Sequence, residues 1–97
     1  MMGNMDLSGK ESAIFKAFCD ENRIIIIQHI SQGEKCACEL IRLTGMKQSR
    51  LAYHMKILCD SGIIRARHDG TWIRYTINQE NARAAAQLIY NLTKTKP

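Results

Sequence analysis

Apolar residues recur at a helical period over the first half of the chain, switch to strict alternation, and then return to a helical period. Ile14, Ala17 and Phe18 fall at helical spacing and predict a first helix from Ser8, a suitable N-cap, to about Cys19. The run Ile24 to Ile27 is β-branched, which suits a strand. However, Asp20 to Asn22 supply an acidic, capping start and Ile30 extends the spacing from Ile26 and Ile27, so a second helix is expected. Gln32-Gly33-Glu34 reads as a turn. Ala37, Leu40 and Ile41 then stand at i, i+3 and i+4 before Gly45, a short third helix. Leu51, Met55 and Leu58 form the stripe of a fourth, with Ser49, Tyr53 and Lys56 on its opposite face. Two short helices joined through a glycine-containing turn predict a helix-turn-helix.

Gly62 ends the fourth helix, and the period becomes two. Ile64 and Ala66 alternate with Arg65 and Arg67; beyond Asp69-Gly70, Ile73, Tyr75 and Ile77 alternate with Arg74 and Thr76. This is a β-hairpin around an Asp-Gly turn signal. Asn78 caps a closing helix whose inward stripe is Ala82, Ala85, Ala86, Ile89 and Leu92, with Glu80 at its start and Lys94 at its end complementing the helix dipole. The expected fold is mainly α with a β-hairpin wing, a winged helix-turn-helix, as a single domain over residues 1–97 with flexible ends at 1–7 and 94–97.

Ninety-seven residues suffice for one modest core and leave little room for a substrate cleft. No Ser/His/Asp or phosphate-loop pattern is present, so no enzyme activity is expected. The longest apolar run is four residues and Met1 to Lys10 has no apolar signal core, which predicts a soluble, cytoplasmic protein without membrane contact. The net charge is +5. Six basic residues (Lys47, Arg50, Lys56, Arg65, Arg67, Arg74) against two acids (Asp60, Asp69) place four of those five charges between Lys47 and Arg74. Charge this localised favours a polyanionic partner.

A helix-turn-helix presents the N-terminal part of its second helix to base edges in the major groove. Here that part reads Lys47-Gln48-Ser49-Arg50. Gln pairs bidentately with adenine and Arg with guanine, while Ser suits several edges. Tyr53, His54 and Lys56 continue along the helix as base or phosphate contacts. Arg65, Arg67 and Arg74, with His68 near the tip, form a basic wing for backbone phosphates. Any one of these residues taken alone is better read as a solvated surface charge; the set together favours double-stranded DNA. A protein-interaction module using Tyr53, Trp72 and Tyr75 is the competing use of the same fold.

The stretch Phe18-Cys19-Asp20-Glu21-Asn22-Arg23-Ile24, the segment Gln48 to Leu58, Gly62-Ile63-Ile64 and the wing from Gly70 to Tyr75 together resemble the arsenical-resistance repressor (ArsR/SmtB) family over roughly Ile14 to Ile89. The resemblance implies a homodimer paired through its first and last helices, bound to an imperfect palindrome near a promoter and released by an inducer. The alanine-rich last helix suits close packing at such an interface and equally suits packing within one subunit.

The chain has four cysteines, Cys19, Cys36, Cys38 and Cys59, better read as thiols than as a disulfide framework. Cys36-Ala37-Cys38 resembles the family's soft-metal box, which implies trivalent arsenic or antimony, or another thiophilic ion, as inducer, with no required cofactor. In an ideal helix residues i and i+2 point to different sides, so sharing one ion requires the helix start to open. The family's third cysteine often lies three residues after the second, where this chain has Ile41. Cys59 ranks first as a replacement, ahead of Cys19 or a partner subunit. The cadmium/lead branch needs cysteines in an N-terminal arm, and the zinc branch needs Asp and His on the last helix; neither set is here. A repressor sensing oxidants or reactive sulfur through the same thiols, with Lys35 beside Cys36, is the alternative use of the pair. Cys19 reads as a packing residue, and none of the histidines is assigned to metal.

Overall fold

A computed structural model describes residues 9–96; the cap expected at Ser8 and the flexibility expected of residues 1–7 concern positions outside them. In chain order come α1 (Gly9–Ala17), α2 (Glu21–Ser31), β1 (Lys35–Cys36), α3 (Ala37–Thr44), α4 (Gln48–Ser61), β2 (Ile64–Asp69), β3 (Trp72–Ile77) and α5 (Gln79–Thr93). The winged helix-turn-helix is therefore α3, α4 and the β2–β3 hairpin. None of the described helices is long and apolar enough to cross a membrane.

The isoleucine run is helical because its ends and its buried face agree. Asp20 caps α2 by accepting the Asn22 N–H at 2.8 Å, and Ile26 and Ile30, one turn apart, are both buried. Glycines in the left-handed conformation close both helices of the motif, Gly45 (φ 73°) after α3 and Gly62 (φ 86°) after α4. The side chains of Ile14, Ile26, Leu40, Leu51, Leu58 and Ile63 make the centre of the core, so all four leading helices and the start of the wing meet there.

The hairpin pairs Ile64 with Ile77 through Asp69 with Trp72, leaving Gly70 and Thr71 as a two-residue loop. Positive φ is confined to its first position, Gly70, the pattern of a II′ turn. One strand was not expected. Lys35 and Cys36 pair antiparallel with Tyr75 and Arg74, giving a three-stranded sheet in the order β1-β3-β2. Cys36 thus sits in extended backbone (φ −95°, ψ 167°) as the N-cap of α3 rather than inside it, and its N–H donates to Glu39 Oε1 at 2.9 Å.

Asn78 caps α5 as expected, accepting the Asn81 N–H at 3.1 Å. The inward stripe of α5 is only partly inward. Ala85 is buried, but Ala86 is exposed and Ile89 and Leu92 are half-exposed. Between α1 and α5 runs an apolar groove of about 490 Å³ walled by Phe15, Phe18, Ala82, Ala86 and Ile89.

Candidate functional site

The first turn of α4 stands clear of the body. Lys47 is the N-cap, and Lys47, Gln48, Ser49 and Arg50 are all exposed. None of these four side chains is held by a hydrogen bond or ion pair to another described residue, whereas the wing arginines all are. Lys47 makes no side-chain cap, so the helix start keeps unsatisfied N–H groups beside two cations. Asn22, Lys47 and Arg50 line a recess of about 450 Å³ here. Tyr53 continues this face at 62% exposure, and Lys56, further along, is ion-paired to Asp60 at 3.1 Å.

His54 does not belong to this surface. It is 3% exposed, facing α2, where Arg23 Nη1 lies 3.2 Å from its Nδ1. The expected DNA contact from His54 is corrected accordingly: the imidazole is one turn beyond Arg50 but buried, and its ring meets the exposed face through an edge contact with the Tyr53 ring. Burial lowers its pKa below 6.5; Asp20 opposes that shift while Arg23 and Arg50 add to it. Arg23 was missed as a functional candidate. Its only sequence signal is the Asp20–Arg23 spacing in the first turn of α2.

The wing is basic but internally compensated. Ala66, His68, Ile73 and Tyr75 face α4, and the alternation sends Arg65, Arg67 and Arg74 to the opposite face. Arg65 lies 3.6 Å from Glu80, Arg67 lies 2.8 Å from Glu34 and 3.9 Å from Asp69, and Arg74 lies 3.5 Å from Asp69. The hydrogen bond that Arg67 donates to Glu34 holds its guanidinium above its ordinary pKa. A chain of charge, Glu34–Arg67–Asp69–Arg74, therefore runs from the turn before β1 into the hairpin.

The thiols divide. Cys36 is buried, Cys38 is exposed two residues on, and both line one cavity of about 290 Å³ with Thr71, Trp72, Ile73 and Tyr75. Cys36 precedes α3 as its N-cap, and Cys38 is the second residue of the helix. Cys59 is half-buried in a different recess, between α4 and the inner wing, which shares Ile73 and Tyr75 with the first. Burial, and then the Asp60 carboxylate, push the Cys59 thiol above 9.0. Among the described residues no three His, Cys, Asp or Glu side chains come together as a metal cluster. Lys35 turns its ammonium to the Gly33 carbonyl at 3.1 Å. Cys19 is exposed and donates to Phe15 O at 3.4 Å.

A family model described as bacterial regulatory protein, arsR family, matches residues 20–66. The chain is 38% identical to the arsenical resistance operon repressor of Bacillus subtilis (strain 168) over 76 residues, covering 77% of this chain and 72% of that one. An ArsR-like transcriptional regulator from Rhodococcus sp. RHA1 superposes with a TM-score of 0.79 at 20% identity, over 87% of this chain and 79% of the other. A homodimeric winged helix-turn-helix DNA-binding domain from Mycobacterium bovis superposes at 0.72 with 24% identity, over 98% and 94%.

Proposed function

We propose, from the premise that this chain belongs to the arsR family of bacterial regulatory proteins and is a DNA-binding transcriptional repressor rather than an enzyme, that it holds its operator as a homodimer and leaves it when Cys36 and Cys38 take a soft metal or metalloid ion. The observation that carries the DNA half is the exposed, unpaired turn Lys47-Gln48-Ser49-Arg50 at the uncapped start of α4. Base edges would be read by Gln48, Ser49 and Arg50. Lys47 and the free N–H groups would take a phosphate, and Tyr53 and Lys56 would extend the contact along the groove. Arg67 would exchange Glu34 for a phosphate oxygen, with Arg65 and Arg74 adding field, because a carboxylate and a phosphate satisfy the same guanidinium fork.

Pairing of two copies is supported by the apolar groove and by the half-exposed Phe18, just past α1, and Ile89 and Leu92 on α5. A patch of this kind on a small chain is costly to leave in water. Two copies would present two α4 helices to successive major-groove faces, hence an operator of two related half-sites.

The inducer half rests on donor chemistry. Two thiols at one cavity suit trivalent arsenic, antimony or another thiophilic ion, and a third ligand from Cys59 finds no support in its separate recess and raised pKa. Because Cys36 is paired with the wing and caps α3, capture there would disturb the seating of α3 and the wing beside the reading helix. The protein would act in the cytoplasm, as one domain. Fluorescence anisotropy on the gene's own promoter DNA tests the first half. Saturable, salt-sensitive binding supports it, and no binding to any duplex returns the fold to a protein-interaction role.

A further inference from the structure

The most connected buried polar group in the fold lies beneath the reading helix and takes no part in reading. Arg23, 9% exposed, donates from Nε to the Ala17 carbonyl at the end of α1 (2.9 Å) and reaches from Nη1 to His54 Nδ1 on α4 (3.2 Å) and to Asp20 Oδ2 at the cap of α2 (3.7 Å). One guanidinium thus ties together the C-terminus of α1, the start of α2 and the middle of α4. Arginine has no acceptor and is always charged, so the contact holds only while Nδ1 of His54 is unprotonated and the ring hydrogen sits on Nε2.

We propose that Arg23 and His54 are positioning residues for DNA recognition: the neutral imidazole locks α4 onto the α1–α2 junction, and acid releases it, so operator affinity falls as His54 takes a proton. The inference rests on the reading of DNA by the first turn of α4. Protonation replaces an N–H···N hydrogen bond by two facing cations. The charged groups acting on His54 are Asp20 and Arg23 from α2 and Arg50 from α4 itself, while α1 contributes the Ala17 carbonyl through Arg23. Among the described residues, Asp20 is the group that would offset the new charge. Its own pKa is lowered by the Asn22 N–H and then Arg23, so it stays ionised while His54 titrates, but one carboxylate cannot balance two cations. The released α4 carries Arg50 four residues before His54, so the base-reading turn loses its fixed height and rotation over the groove.

The direction is unusual for a basic DNA-binding protein, where added protons ordinarily strengthen attraction to phosphates. The folded pKa of His54 is depressed, so its contribution is present above the unfolded value of 6.5 and is lost as pH falls through the lower, folded value.

The test compares wild type with His54→Asn, whose Oδ1 offers an acceptor near the place of Nδ1 and cannot take a proton. Operator and random-sequence duplexes are titrated by fluorescence anisotropy from about pH 7.5 to pH 5 at fixed ionic strength. The range spans the ordinary histidine titration and the region below it. Wild type is expected to lose operator affinity by about tenfold per pH unit below its midpoint, the slope of one linked proton, and to lose less on random DNA. His54→Asn is expected to bind the operator at neutral pH and to lack that acid loss. Identical pH profiles for the two proteins would overturn the proposal while leaving DNA reading intact; no operator binding by wild type at neutral pH would overturn the reading beneath it as well. If His54→Asn does not fold, nitrogen-15 NMR of wild type decides. A neutral Nε2–H ring with a midpoint below 6.5 supports the lock, and an Nδ1–H ring or a midpoint at or above 6.5 overturns it.

Discussion

Cys36 and Arg74 stand opposite each other across the β1–β3 pair, so the first thiol of the Cys36-Ala37-Cys38 box is also the last residue joining the helix-turn-helix to its wing. A ligand drawing Cys36 toward Cys38 works against that two-residue strand, which has few backbone bonds to lose. The chain's one tryptophan, Trp72, borders the same cavity and is half-exposed. Arsenite is therefore expected to change Trp72 emission in the wild type and to leave it unchanged when both cysteines are serine. A response that survives in the double variant would place the ligand elsewhere.

Cys59→Ser is expected to keep both DNA binding and inducer release. Its thiol lines another recess and is held protonated at neutral pH by burial and Asp60, so alkylation near pH 7 should reach Cys38 well before Cys59. Loss of release in Cys59→Ser, with operator binding intact, would restore it as a third ligand.

Two arginines should fail in different ways. Arg50→Ala is expected to weaken operator binding by about 1–3 kcal/mol and to relax base preference, since a bidentate base contact would be lost. Arg67→Ala should weaken binding to all duplexes alike and reduce the salt slope by about one. Glu34→Gln removes the carboxylate that holds Arg67 at 2.8 Å and should raise affinity for any sequence. Binding measured against salt concentration on operator and random DNA separates the three.

Gly62→Ala probes the joint between α4 and the wing. At φ 86° a Cβ would be strained, and it would stand 2.9 Å from Asn81 Nδ2, which donates to the Gly62 carbonyl. The expected cost is about 1–3 kcal/mol. For a domain of this size that lowers the Tm by about 4–8 °C per kcal/mol. Gly45→Ala is the control, because its φ of 73° is also unfavourable but nothing lies within 4 Å of the added carbon. Thermal unfolding should rank Gly62→Ala below Gly45→Ala.

Periodicity made the helices and the hairpin legible because each is stabilised by contacts a few residues apart. Asp20, Gly45, Gly62 and Asn78 mark their boundaries by local chemistry that needs no knowledge of the rest of the chain. β1 was not legible: two residues carry no pattern, and their partner strand lies almost forty positions away. His54 misled for a related reason. It stands three residues after buried Leu51 and next to Met55, on a helix whose first turn and Tyr53, Lys56 and Asp60 face solvent, and Arg23, 31 positions earlier, makes its burial tolerable. The local positive charge was visible, but its compensation by Glu34 and Glu80 was not, since both acids lie outside the basic stretch.

The most direct test of a repressor that loses its operator to a thiol ligand is an arsenite titration of the protein on its own promoter DNA, under reducing conditions, with wild type beside the variant carrying Cys36→Ser and Cys38→Ser. Both proteins are expected to bind the DNA, and only wild type to be released. Release of both, or of neither, would contradict the assignment of the inducer to this pair.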